Sequence, residues 1–302
     1  MKVRVLISGA NGLLGQYLLK GRSQESEILG IVRSKYSQDF HDSCETFTMD
    51  LTQFPEVTEV LSSYAPSIII HTAAEGRVDT VQHRMDEFIK LNVELPSLLS
   101  KYARDTGAQM VHISSNAVFG GRATSYSDYS EFDPINDYGA LKVEAEKSVM
   151  QVNPRALVVR PILMYGWPSP SGRSNPVSSW ISNLREGRTI HVVNDVWTEP
   201  LAVWDCAAAI WRAIDQMMIG PLNVSGGVEI SLFDFALTVA SVFNLDASLV
   251  EPASSRDFPS LAPRPTRTSF DLKRLREELG VHPVGPLEGL KLLKLDEFRA
   301  TR

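Results

Sequence analysis

Val3-Arg4-Val5-Leu6-Ile7-Ser8-Gly9-Ala10-Asn11-Gly12-Leu13-Leu14-Gly15 decides the fold of this chain. Val3–Ser8 reads as a buried strand, and Leu13–Lys20 as the amphipathic helix that follows it. Three glycines lie between and just inside them. Such glycines allow a tight turn, close approach of the backbone to a diphosphate, and close packing of helix on strand. The helix N-terminus then offers free N–H groups and a positive dipole end to phosphate oxygens. The spacing alone is a weak signal; its place between the first strand and the first helix gives it weight. Gly9, Asn11, Gly12, Leu13, Leu14 and Gly15 are therefore expected to cradle a dinucleotide cofactor.

Working outward, short apolar runs alternate with longer amphipathic ones. Glu27–Val32, Thr46–Thr48, Ser67–His71 and Gln109–Ser114 read as strands; Pro55–Tyr64 and Glu87–Thr106 read as helices. This predicts an α/β fold, a Rossmann doubly wound parallel sheet covered on both faces. Pro96 is expected to kink the helix it interrupts. A helix at Tyr138–Val149 and a strand at Ala156–Val159 follow. Residues 161–203 are rich in Pro, Gly, Ser and Trp, with one short helix at Val177–Arg185. The helix Val203–Met218 and strand Leu222–Ser225 return to the sheet, and helices Leu232–Phe243 and Leu272–Leu279 close the chain. The expected division is a cofactor-binding Rossmann domain of residues 1–160 plus 203–225, and a smaller, mostly helical C-terminal substrate-binding portion of 161–202 plus 226–302.

Composition narrows the function. A net charge of -6 argues against nucleic acid or an anionic membrane as partner, since both need a large basic surface. Cys44 and Cys206 stand far apart in no paired motif, which suits a reducing cytoplasm. The six histidines fall at no metal-ligand spacing, so no metal site is expected. The opening apolar stretch is too short for a signal peptide, and nothing later approaches a membrane span. A soluble cytoplasmic protein is expected.

Two further stretches carry chemistry. The second strand runs out through Gly30-Ile31-Val32-Arg33-Ser34-Lys35. A carboxylate there would grip a ribose 2′-hydroxyl; cations and a hydroxyl suit a 2′-phosphate instead. Arg33 and Ser34 thus predict NADP(H) in preference to NAD(H), with solvated loop charges as the alternative. Tyr138-Gly139-Ala140-Leu141-Lys142 places a phenol and an ammonium on one helix face. Tyr138 is the only one of eight tyrosines followed by a lysine four residues on, and it lies 23 residues after Ser115. A lysine cation lowers a phenol's pKa, and reaching about 7 would take roughly 4 kcal/mol. Such a phenol can protonate the oxygen of a carbonyl being reduced.

With these stretches the chain resembles the extended short-chain dehydrogenase/reductase superfamily, and within it dTDP-4-dehydrorhamnose reductase and its relatives. The likeness rests on the glycine loop, His71-Thr72-Ala73-Ala74, Val111-His112-Ile113-Ser114-Ser115-Asn116-Ala117-Val118-Phe119-Gly120, Tyr138–Lys142, Val159-Arg160-Pro161-Ile162-Leu163-Met164-Tyr165-Gly166 and Arg264-Pro265-Thr266-Arg267-Thr268-Ser269-Phe270-Asp271. The resemblance implies catalytic roles for Ser115, Tyr138 and Lys142, and a proton-relay role for Asn92. It implies cofactor contacts from Asp50, Leu51, Ala73, Ala74, Tyr138 and Lys142. It implies a nucleotide-sugar substrate, held by Arg160, Trp167 and Arg264, and a homodimer as one assembly. Ser115-Asn116-Ala117 departs from the reductases' usual Thr-Asp-Tyr, which puts the rhamnose-pathway substrate in doubt. Asn116-Ala117 also lacks the Asp-Glu pair a sugar dehydratase uses, which excludes that chemistry.

The leading expectation is NADPH-dependent reduction of the 4-keto group of a nucleotide-activated deoxysugar. A 4-epimerase on retained NAD is the alternative within the fold, opposed by the basic end of the second strand. A cofactor-binding regulatory subunit is the alternative from another class. For that, His71-Thr72-Ala73-Ala74-Glu75-Gly76-Arg77-Val78-Asp79 is similar to the regulatory subunit of methionine adenosyltransferase.

Overall fold

The computed structural model describes residues 2–21, 26–33, 44–170 and 172–300. Its centre is a sheet built from β1 (Val3–Ser8), β2 (Ser26–Val32), β3 (Glu45–Thr48), β4 (Ile68–His71), β5 (Gln109–Ile113), β6 (Leu157–Pro161) and a seventh strand at Gly220–Val224. The spatial order is Gly220–Val224, β6, β5, β4, β1, β2, β3, and every pairing is parallel. The chain moves from β1 to β2 and β3 on one side, then crosses to β4, β5 and β6 on the other. That reversal puts a crevice at the C-terminal ends of β1 and β4, where doubly wound sheets bind ligands.

Both faces are covered, as the unbroken apolar strands required. Val5 and Ile7 pack with Leu14, Leu18 and the helix Val203–Asp215, while Leu6, Ile69, Met110 and Val158 pack with Val57, Leu61, Leu95 and Leu99. Phe270, Leu272, Leu275 and Leu279 join the first of these cores. Tyr165, Val177, Ile181, Phe235, Val239, Leu290 and Leu293 form a separate core in the later part of the chain.

Pro96 does not break its helix. The chain stays helical through Met85–Ile89, a π turn at Lys90–Glu94 and the helix Leu95–Thr106. Proline has no N–H to give to the Asn92 carbonyl. The wider turn absorbs this, with the Leu95 N–H bonded to the Lys90 carbonyl. The expected helix Leu272–Leu279 is mainly a π turn at Arg274–Glu278. A helix at Pro286–Ala300 was not anticipated. Its leucines lie all round, with Leu290 and Leu293 buried and Leu287, Leu292 and Leu295 exposed, so no clean stripe marks it. Among the described residues no helix is long and apolar enough to cross a membrane, and no group of three His, Cys, Asp or Glu side chains could hold a metal ion.

Candidate functional site

The loop after β1 is shaped by its glycines. Gly9 has φ +73°, and a Cβ there would lie 2.7 Å from the Thr72 hydroxyl and 2.9 Å from the Ala73 nitrogen. A Cβ on Gly15 would meet Ala10 at 2.7 Å and collide with the Gly9 carbonyl. Gly12 caps the helix Leu13–Lys20 with no side-chain hydrogen bond, so no side chain competes for its first N–H groups. This uncapped N-terminus beneath a tight, Cβ-intolerant turn fits a cofactor diphosphate. Asn11 and Leu13 are half-buried and Gly12 exposed at its mouth, whereas Leu14 and Gly15 are buried behind it. Ala73 and Ala74, both half-buried, follow β4 on the adjoining side of the crevice.

At the far rim Arg33 is exposed where β2 ends; Ser34 lies outside the described residues. Asp50 is exposed, and its carboxylate accepts from the Thr52 N–H at 2.9 Å and the Thr52 hydroxyl at 2.8 Å. Those bonds, the backbone one first, hold it below the usual carboxylate range. Leu51 is buried in the core with Leu6, Leu29 and Val57.

Across the crevice the helix Asp137–Val152 is anchored at its first turn. The Asn136 side chain accepts from the Gly139 N–H at 2.8 Å and donates to the Pro263 carbonyl at 2.9 Å. Gly139 sits directly against the Ala117 carbonyl, with no room for a Cβ. This close approach lays the helix on the Ser115–Ala117 turn, where the Ser115 hydroxyl accepts from the Ala117 N–H at 3.2 Å. The same hydroxyl is close enough to the Tyr138 phenol to favour its charged form. Tyr138 is 9% exposed, and burial pushes its phenol up to about 12; Ser115 and Arg173 pull it down, and Glu75 pushes it further up. The direction is opposite to the lowering expected from sequence, because desolvation of the phenolate outweighs the Ser115 hydroxyl and the Arg173 charge. Lys142 stands 5.9 Å from the Tyr138 ring centroid and donates to the Ile113 carbonyl at 2.9 Å. Burial brings its ammonium down to about 8, opposed by Glu146.

Asn92 is buried in the π turn, and both its amide oxygen and its amide nitrogen are engaged. It accepts from the Glu75 N–H at 2.9 Å and donates to the Glu75 carbonyl at 3.1 Å, clamping the segment that carries Ala73 and Ala74. Glu75 in turn holds Arg77 at 2.7 Å. Sequence reasoning assigned no role to Glu75, Asn136 or Gly139. Asn136 three residues before Gly139 is a helix-capping signal that could have been read.

The three arginine and tryptophan positions expected to grip substrate divide. Arg160 is 3% exposed and forked onto Glu146 at 2.6–3.0 Å, with Phe119 and Phe132 against its guanidinium at 5.3 and 5.2 Å. It is a core ion pair, and the expectation of a substrate contact is corrected: Glu146 and the Asp128 carbonyl engage every nitrogen of the buried fork. Trp167 packs on Phe243 and spends its indole N–H on the Leu293 carbonyl at 2.9 Å. Arg264 is exposed and paired with Asp79 at 2.8 Å. Its loop lies beside the site, since Pro263 receives Asn136 and Thr268 receives the Asn116 amide at 3.1 Å.

Comparison with known proteins agrees with this fold. Residues 2–293 match the family described as the RmlD substrate binding domain. A solved dTDP-4-dehydrorhamnose reductase from Bacillus anthracis, in complex with NADP, superposes with a TM-score of 0.86 at 29% identity, covering 98% of this chain and all of that one. Among curated proteins, the "Probable low-salt glycan biosynthesis reductase Agl14" of Haloferax volcanii is 27% identical over 91% of each chain. The methionine adenosyltransferase 2 subunit beta of Bos taurus is 31% identical over 95% of this chain and 86% of its own.

Proposed function

This chain belongs to the RmlD substrate binding domain family, and we propose from that premise that it reduces the 4-keto group of a nucleotide-activated deoxysugar with NADPH. The observation that carries the reading is the meeting of Ser115, Tyr138 and Lys142 past the end of β5, across the crevice from an uncapped glycine loop. The loop Gly9–Gly15 would hold the diphosphate, Arg33 the 2′-phosphate, and Ala73, Ala74 and Lys142 the nicotinamide end. Bound NADPH supplies the hydride that reaches the ketone carbon. Tyr138 gives its proton to the carbonyl oxygen, which the Ser115 hydroxyl orients. A phenol raised to about 12 stays protonated at neutral pH, the state in which a reductase needs it. The Lys142 cation stabilises the phenolate left behind. The solved relative with NADP bound supports the choice of cofactor. The compartment assigned is the cytoplasm, on the sparse cysteines read above. The test is loss of reduced-nicotinamide absorbance on mixing protein, NADPH and dTDP-4-keto-6-deoxyhexoses; sugar-dependent consumption is expected.

The likeness to the methionine adenosyltransferase subunit supports a second reading, a cofactor-binding regulatory subunit. Co-purification with an adenosyltransferase, combined with no turnover of any ketosugar, would favour it over catalysis.

A further inference from the structure

Behind Lys142 the sheet carries two imidazoles that the chemistry above does not use. His71 ends β4, His112 lies opposite it in β5, and their rings stack at 5.6 Å with planes 21° apart. Both are 1% exposed. They share the sheet face of Ile69 and Met110, the face covered by the helix Leu95–Thr106. Nδ1 of His71 sits 2.7 Å from the Ser8 hydroxyl, opposite it on β1. Nε2 of His71 and both ring nitrogens of His112 have no hydrogen-bond partner in the protein. Three such nitrogens in one buried place are exceptional, and internal water is the usual partner of buried polar groups that the protein leaves unpaired. The Lys142 ammonium, with three donors, gives one to the carbonyl of Ile113, the residue after His112.

We propose that His71 and His112, with internal water, form a buried acceptor site for the Lys142 ammonium, which makes His112 a positioning residue for that lysine. The proposal rests on the reading of Lys142 as part of the catalytic set. Burial first, and then the Lys142 charge, holds His71 down to about 3 and His112 well below its ordinary value. The rings are therefore neutral; His112 keeps a lone pair for a donor, and His71 offers one at Nε2 in the tautomer whose Nδ1–H donates to the Ser8 hydroxyl. Hydrogen bonds to a charged group favour its charged form, so the site opposes the desolvation that Lys142 suffers. Glu146 acts on the lysine in the same sense, although its carboxylate is committed to Arg160.

The experiment compares His112→Phe and His112→Asn, the first without ring nitrogens and the second with an amide donor and acceptor. In protein carrying lysine labelled at the ε-carbon, NMR follows the Lys142 titration, the resonance being identified by its loss in Lys142→Met. His112→Phe is expected to lower the Lys142 midpoint by about one pH unit, and His112→Asn to restore most of it. The alkaline limb of the kcat/KM profile should move by the same amount. An unmoved Lys142 midpoint in folded His112→Phe would overturn the proposal. The NMR readout needs no turnover, so failure of the reductase reading stays distinguishable from failure here. Should His112→Phe not fold, a high-resolution crystal structure of the unaltered protein decides. Water bonded to the His112 nitrogens is expected, and a dry pocket would overturn the site.

Discussion

Gly139 rests against the carbonyl of Ala117, and that contact sets Tyr138 beside Ser115. In a free helix Gly139→Ala would stabilise by about 1 kcal/mol. Here the added methyl meets backbone, which cannot swing aside, so separation of helix and turn wins. We expect a net destabilisation of about 1–3 kcal/mol and a fall in kcat/KM of roughly a hundredfold, as misplacement by an ångström produces. Denaturant unfolding and steady-state rates check both figures. Unchanged rates would show that the Ser115–Tyr138 spacing is not critical.

Tyr138→Phe removes the proton donor and leaves the ring. Turnover should fall by at least about 10²–10⁴, with NADPH affinity measured by fluorescence titration nearly unchanged. Full activity would remove Tyr138 from the mechanism.

Arg33 tests cofactor choice. Loss of a charge-assisted bond to the 2′-phosphate is worth about 1.5–3 kcal/mol, so Arg33→Ala should weaken NADPH binding by roughly ten- to a hundredfold. NADH binding should change little. Equal effects on both cofactors would place Arg33 away from the 2′-phosphate.

Lys142 makes catalysis and stability diverge with pH. Its folded value lies near 8, below the ordinary 10.5. Between those values the unfolded chain binds more protons, so stability rises as pH rises from about 8 toward 10. Activity that needs the cation falls over the same window. The difference in unfolding free energy between wild type and Lys142→Met should carry this rise, on the order of 2–3 kcal/mol. A flat difference would mean that Lys142 is not desolvated.

Arg160→Ala strands the buried Glu146 carboxylate and should cost about 3–5 kcal/mol of stability. Arg264→Ala removes an exposed pair with Asp79 and should cost no more than about 1 kcal/mol. Thermal unfolding separates the two. If Arg264 contacts substrate, its variant shows instead a raised KM with Tm nearly unchanged.

Much of this was legible in the sequence, for local reasons. Gly9 and Gly15 announce their turn because a Cβ on either would run into the segment after the neighbouring strand β4 or into the turn's own backbone, and Gly12 lies tight against the Gly9 carbonyl. The alternation of apolar runs gave the parallel sheet because both faces had to be buried. Arg160 was misread because its partner Glu146 and its flanking Phe119 and Phe132 come from three other segments, and no local pattern reports a buried fork. The direction of the Tyr138 shift was missed for a related reason: spacing reveals a lysine on the same helix face but not the desolvation that dominates the shift. Asn92 was recognisable only by resemblance, yet its two bonds to Glu75 show why a buried amide belongs in that π turn.

The central claim is hydride delivery to a sugar carbonyl, and label transfer tests it most directly. NADPH deuterated at the transferable position would be incubated with a dTDP-4-keto-6-deoxyhexose and the protein, and the sugar analysed by mass spectrometry. The account predicts deuterium at C4 of the sugar with wild type and none with Tyr138→Phe. Unlabelled sugar from wild-type protein that demonstrably binds the labelled cofactor, across the ketosugars tried, would contradict it.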